Sequence, residues 1–310
     1  MREVLKYFDR VERAWPGRIE KLMATSVAVI GAGAIGSFIA ERLYKAGVGK
    51  LIIVDGDVVE THNLERTSCF TEADVGRNKA LALAECLGRI RPGLPSQVEA
   101  IPRFLDKDFP LEQLSQVNLI ITAIDDVYTR VVMGDFVTYY DIPHLDVAFG
   151  EEIGRVLYFP NPRKGPCIRD ALSEEEIKRS FDVLGYNLLA TCPHCLRRFR
   201  ITDWKWPHMT KVRDEEGNPL GDAKPIFEGD KVVALDAKCP YCGAELRIKT
   251  PEAPAPTLSE VSTVTVAHAY AVAVRHLLGA RFEWNMLIVK VDGLYTYKIS
   301  AMNHYRHVVS

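Results

Sequence analysis

Four cysteines stand in two Cys-x-x-Cys pairs, Cys192-Pro-His-Cys195 and Cys239-Pro-Tyr-Cys242. Each pair can present two thiolates to one tetrahedral ion, and four thiolates are the donor set of structural zinc. The 43 residues between the pairs exceed the usual spacing of about 15–20, so at least a hairpin must lie between the two turns. His194 falls inside the first pair, but four thiolates already close the shell, so it is not expected as a ligand. In a reducing compartment such pairs point to metal rather than disulfides.

A second constellation lies near the start of the chain. Gly31-Ala-Gly33-Ala-Ile-Gly36 follows a β-branched run and opens a helical one, the context in which backbone N–H groups can approach a phosphate. Such a turn fits NAD, FAD and ATP alike. The next apolar run ends at Asp55, whose carboxylate can accept hydrogen bonds from a ribose. A hydride-transfer site has no need of paired cations near the phosphates, yet Asn63, Arg66 and Lys79 follow, and Asp125-Asp126 comes after a later apolar run. A site that breaks a phosphoanhydride does need them, because charge shifts onto the phosphate oxygens and the departing group. Asp57 and Arg130 read as structural supports, with Arg130 paired to one of the two aspartates.

The elements that position these groups follow from the pattern of apolar residues. Strands are predicted at 26–30, 50–54, 97–101, 118–124, 144–149 and 154–159, with helices at 34–46, 77–91 and 127–140. Strands alternating with helices give an α/β fold, a doubly wound, mostly parallel, Rossmann-like sheet. A helix at 261–278 and a hairpin of 286–291 with 294–299 complete it. The expected organisation is an N-terminal arm at 1–25, a nucleotide-binding domain at 26–160, a crossover at 161–191, a β-rich zinc-ribbon-like insert at 192–250 and a C-terminal part at 251–310. A helix is expected at 173–182. Trp204, Trp206 and Phe227 are expected to pack the insert, and a proline-rich linker at 250–257 closes it.

Over 310 residues the chain is 47% apolar and 26% charged, with 39 Lys+Arg against 41 Asp+Glu. That balance argues against a nucleic-acid groove or a polybasic membrane patch, both of which need excess positive charge. No apolar run reaches the roughly 20 residues of a transmembrane helix, and the charged N-terminus does not resemble a secretion signal, so a cytoplasmic location is expected.

The ordered set of the Gly-x-Gly-x-x-Gly-Ser turn, AGVGKLIIVDGDVVETHNLERT, DVGRNKA and AIDD resembles the ubiquitin-activating-type adenylyltransferases, the ThiF, MoeB and HesA-like family. The resemblance covers about residues 5–160 and, more loosely, the C-terminal helix and hairpin. It implies attack by a protein's C-terminal carboxylate on the α-phosphate of ATP. The carboxylate would belong to a ubiquitin-like or sulfur-carrier protein ending in Gly-Gly. It further implies that Gly31, Gly33 and Gly36 form the turn at the nucleotide, Asp55 binds the ribose, and Asn63, Arg66 and Lys79 contact the phosphates. Asp125 would hold Mg²⁺. Arg13, in Arg10-Val-Glu-Arg13, would serve the partner's site in a homodimer. Activation of a small-molecule or RNA-linked carboxylate, and a non-catalytic docking subunit, are the alternatives.

Cys69 and Cys86 read as packing residues. Cys167 lies in Lys164-Gly-Pro-Cys-Ile-Arg169, with cations nearby to favour a thiolate nucleophile. The segment resembles the family's PCYRC, with Asp170 in place of the second cysteine, so thioester formation at Cys167 and adenylation without it both stay open. The chain also departs from the relatives that bind zinc, in which the second cysteine pair lies near the C-terminus.

Overall fold

The computed structural model describes residues 6–90, 96–105, 109–124, 127–150, 153–172, 187–202, 211–214, 219–228, 231–249, 259–290 and 293–299. Asp125, Asp126, the expected helix at 173–182, Trp204, Trp206, the side chain of Phe227 and the linker at 250–257 lie outside the described residues. Two compact units divide the chain: Met1–Asp125, Thr129–Ala171 and Pro256–Ser310 form one, Asp126–Tyr128 with Leu172–Ala255 the other.

The first unit opens with helices α1 (Asp9–Ala14) and α2 (Arg18–Met23). Strand β1 (Ser26–Ile30), helix α3 (Ala34–Ala46) and strand β2 (Lys50–Val54) follow at the bounds the sequence predicts. Beyond them come α4 (Lys79–Ile90), β3 (Gln97–Ile101), β4 (Leu119–Thr122), α5 (Val127–Tyr140), β5 (His144–Phe149), β6 (Ile153–Phe159) and the short α6 (Ile168–Ala171). Alternate residues of β1 serve opposite faces, as a strand's period of two requires. Val27 and Val29 join a core with α3 and α4, whereas Ala28 and Ile30 join one with Met133, Phe136 and Val137 of α5. Helix α4 begins at Lys79, later than predicted, because Asn78 caps it: its Oδ1 accepts the Leu81 N–H at 3.1 Å.

The second unit holds β7 (Asn187–Thr191), β8 (Arg198–Thr202), β9 (Lys211–Arg213), β10 (Pro219–Glu228), β11 (Lys231–Lys238) and β12 (Glu245–Lys249). They form one antiparallel sheet in the order β12-β11-β10-β9-β8-β7. This sheet starts at Asn187, ahead of residue 192, because β7 pairs with β8 across the first cysteine turn. Phe199, Ile201, Val212, Leu235 and Leu246 are buried together with Cys192 and Cys239.

The chain then returns to the first unit through α7 (Ser259–Leu277), β13 (Met286–Lys290) and β14 (Gly293–Tyr297). The completed eight-stranded sheet has the order β14-β13-β6-β5-β4-β1-β2-β3. Strands β1 to β5 are parallel and β6, β13 and β14 run antiparallel to their neighbours. The order reverses at β1, where β2 lies on one side and β4 on the other, the place where open α/β sheets bind ligands beyond their carboxyl ends. No helix among the described residues is long and apolar enough to cross a membrane.

Candidate functional site

The glycine turn sits at that reversal. Gly31 N–H donates to Val54 O at 2.8 Å, and Ala123 N–H to Ile30 O at 2.8 Å, so the turn is wedged between the ends of β2 and β4. Gly31 has φ 96°, and a Cβ there would stand 2.5 Å from Ala123 O. A Cβ on Gly36 would stand 1.8 Å from Gly31 O, so the first turn of α3 lies directly on the glycine turn. Gly33 differs: nothing lies within 4 Å of where its Cβ would be. It caps α3, and its bareness leaves the helix's unpaired N-terminal N–H groups open to an approaching anion.

Asp55 closes one side of the turn. Its Oδ2 accepts the Ala32 N–H at 2.6 Å and its Oδ1 the Asp57 N–H at 2.8 Å. Both oxygens keep a further lone pair for a ligand hydroxyl. Burial and then the neighbouring Asp57 push its pKa up to about 6, while Lys79 and the two backbone donors offset part of the rise. Lys79 is largely buried and its Nζ lies 3.2 Å from Asp57 Oδ2. Asn78 ties the two segments together, its Nδ2 donating to Asp55 O at 2.9 Å and Asp57 O at 3.1 Å.

Asn63 and Arg66 lie on the intervening loop. Asn63 is buried and its Oδ1 accepts the Glu60 N–H at 3.0 Å; its Nδ2 has no partner among the described residues. Arg66 is half-buried, with no ion pair among the described residues. Serines that the sequence reading did not single out fasten this loop to α3. Ser68 N–H donates to the buried Ser37 Oγ at 3.0 Å, and the Ser68 hydroxyl bonds Glu41. Cys69 and Cys86, expected to be packing residues, are joined in a disulfide that ties the loop to α4. The reducing-compartment argument for metal therefore does not extend to these two cysteines.

The four remaining paired cysteines come together. Cys192 and Cys242 Sγ are 3.7 Å apart, Cys195 and Cys239 Sγ 3.6 Å, and all four lie within 4.8 Å of one another. A tetrahedral ion with sulfur ligands at about 2.3 Å requires edges of about 3.8 Å, so this donor set fits zinc. The two turns are built alike. Leu196 N–H donates to Cys192 O and Gly243 N–H to Cys239 O, both at 2.9 Å, and both residues have positive φ, 59° and 72°. Because the turns join β7 to β8 at one edge of the sheet and β11 to β12 at the other, the sheet must curl to bring them together. His194 is exposed and is absent from the group of candidate ligands.

A profile of the ThiF family matches residues 10–290. The chain belongs to the ThiF family. Among its relatives is the "Sulfur carrier protein adenylyltransferase" of Thermus thermophilus, 35% identical over 154 residues, a match spanning 48% of this chain but only 56% of that protein. The "SAMP-activating enzyme E1" of Haloferax volcanii is 31% identical over 231 residues, spanning 72% of this chain and 82% of the relative. Among solved structures, Escherichia coli MccB with ATP superposes with a TM-score of 0.60 at 14% identity, covering 92% of this chain and 66% of that one. That likeness shows the shared fold.

Two further expected residues lie elsewhere in the first unit. Arg13 is 71% exposed on α1 and pairs with Asp9 at 2.7 Å. Arg169, one of the cations expected to favour the Cys167 thiolate, is held by Asp135 through two contacts of 2.6 Å. Burial and then the Asp170 carboxylate push the Cys167 thiol up, and its N–H donates to Asp170 at 2.7 Å. The expected activation of its thiolate is therefore absent. Arg130 pairs with Asp146 on β5; Asp125 and Asp126, its expected partners, lie outside the described residues.

Proposed function

We propose that this ThiF-family protein is an ATP-dependent adenylyltransferase that activates the C-terminal carboxylate of a ubiquitin-like or sulfur-carrier protein ending in Gly-Gly. The observation that carries the reading is the contact chain from the glycine turn through Asp55 and Asp57 to the ammonium of Lys79. It links a largely buried cation, through two carboxylates, to the turn that leads into the open helix N-terminus, where phosphates rest in this reading. Relatives named for adenylation of a sulfur carrier and activation of SAMP support the substrate class.

In this reading Gly31 and Gly36 hold the close-packed turn at the nucleotide, Gly33 leaves room for the phosphates, and Asp55 accepts the ribose hydroxyls. Asn63 donates its free amide, while Arg66 and Lys79 neutralise the charge that moves onto pyrophosphate as the carboxylate attacks the α-phosphorus. Asp125 holds Mg²⁺, a hard cation suited to carboxylate and phosphate oxygens. Arg13, exposed on α1, reaches the site of the second copy in a homodimer. Cys192, Cys195, Cys239 and Cys242 hold structural Zn²⁺. Cys167, with its thiol pushed up, fits release of the adenylate to another acceptor better than thioester formation.

ATP–pyrophosphate exchange with and without Gly-Gly-ended carrier proteins tests the assignment. Carrier-dependent exchange that is lost in Asp125→Ala and kept in Cys167→Ala is expected. Exchange equally fast without any carrier would sink the assignment of substrate.

A further inference from the structure

One buried polar cluster takes no part in the reading above. Asp146 on β5 stands beside Thr122, the last residue of β4, in parallel register. Its Oδ1 accepts from Thr122 Oγ1 at 2.7 Å and from Arg130 Nε at 2.8 Å, and its Oδ2 bonds the Arg130 guanidinium a second time. The single hydroxyl proton of Thr122 is spent on Asp146, so the Thr122 oxygen must accept from His144 Nε2, 3.0 Å away. That fixes the imidazole as the neutral Nε2–H form. Burial agrees, pushing its pKa down to about 4. All four side chains are buried.

Stability does not explain such a cluster, because a buried ion pair contributes little compared with apolar side chains of similar volume. Its place in the chain does. Thr122 and Arg130 flank residues 123–129 on either side, and the two grip the same carboxylate. That segment begins at Ala123, whose N–H bonds Ile30 O and whose carbonyl allows no Cβ on Gly31. It also carries Asp125.

We propose that Asp146 is a positioning residue of the nucleotide site: one carboxylate holds Thr122 and Arg130, on either side of residues 123–129, and so places Ala123 and Ile124, which meet the glycine turn. The inference rests on the nucleotide-binding part of the reading above. Asp146 touches no substrate and acts only through Thr122 and Arg130. A buried carboxylate bonded to both residues is suited to this role because its loss costs each of them a buried partner.

Calorimetric titration of the full chain with Mg·ATP, beside thermal melting, separates positioning from mere support. The variants are Asp146→Asn and the apolar double variant Arg130→Met with Asp146→Leu. Asp146→Asn leaves the Arg130 charge buried, so both melting temperature and Mg·ATP affinity should fall. The double variant replaces the ion pair with apolar volume and, measured well below its melting transition, should bind Mg·ATP about tenfold more weakly, the order of loss expected when a site shifts slightly. A double variant that binds as tightly as wild type overturns the proposal. Should it not fold, Thr122→Val, which frees one end only, takes its place: weaker Mg·ATP binding measured well below its melting transition supports the proposal, and unchanged binding overturns it. Wild type that binds no Mg·ATP would remove both this inference and the nucleotide reading. Wild type that binds Mg·ATP but shows no exchange with any carrier would remove the adenylation reading alone.

Discussion

In the eight-stranded unit the polar groups of the site hang on a frame that is complete without them. Val27, Val29, Leu51, Ile53, Leu119 and Ile121 are buried on one face and Ala28, Ile30, Ile52, Val54 and Ile120 on the other, so Asp55 and Lys79 are held by a core that ends beneath them. In the six-stranded unit the candidate ligands belong to the core itself: Cys192 and Cys239 are buried with Phe199, Ile201, Val212, Leu235 and Leu246 among the described residues. A core that includes the ligands themselves ties its stability to a bound ion. The comparison teaches that losing a site residue should affect chemistry in the first unit and folding in the second.

The largest expected effect tests the second half of that contrast. Removing metal with a strong chelator, or making Cys239→Ser, should unfold β7–β12 and leave the eight-stranded unit intact, since structural zinc contributes on the order of 10 kcal/mol to small folds. Hydrogen exchange resolved along the chain reads this directly. Unchanged protection at 187–249 together with unchanged zinc content would erase the distinction between the two units.

The first half is tested by Lys79→Ala. Exchange of pyrophosphate into ATP should drop by about 10²–10³-fold, the loss typical of one preorganised electrostatic group, while the melting temperature stays close to wild type. A variant that instead melts early would show that Lys79 supports the fold through Asp57.

Titration gives a sharper, smaller difference within the first unit. Asp55 has its folded pKa raised to about 6 from the usual 3.8, so its favourable contribution is complete below about pH 4 and is lost as pH rises through about 6, by about 3 kcal/mol. His144 behaves oppositely. Its folded pKa is depressed to about 4 from 6.5, so stability is lost as pH falls from about 6.5 towards 4. The two slopes offset each other in the wild type. Asp55→Asn should therefore show a steeper loss of melting temperature on acidification from pH 6.5 to 4, and parallel curves would refute the assignment of Asp55.

The smallest effect concerns the glycines. Gly33→Ala should fold normally and weaken Mg·ATP binding by about tenfold, or about 1.4 kcal/mol, because its Cβ enters open space over the end of α3. Gly36→Ala, whose Cβ would strike Gly31 O, should damage folding instead, and circular dichroism of the two variants side by side reads the contrast.

Much of the first unit was legible in the sequence because its signals are local. A β-branched run buried on both faces, as at Leu51–Val54, has few alternative conformations, and α3 alternates its apolar face with helical spacing until Gly47 ends it in a left-handed turn. The four paired cysteines were legible for the same reason. What the sequence hid are contacts between residues far apart in the chain. Ser37 with Ser68, Asn78 with Asp55, and Cys69 with Cys86 each join segments that only the folded sheet brings together. The grip of Arg130 on Asp146 reaches across to the next strand, which no local pattern announces. For Cys167 the sequence showed nearby cations without showing that Arg169 was already engaged by Asp135.

The three glycines of the turn also carry unequal information for anyone surveying genomes. Positions 31 and 36 are glycine because the protein's own backbone occupies the space of a side chain; position 33 is bare although the fold leaves room for one. A lineage that stopped using the nucleotide would still be forced to keep the outer two and would be free to fill the middle one. The residue at position 33, rather than the intact triplet, is therefore the marker that would separate working members of such a lineage from retired ones.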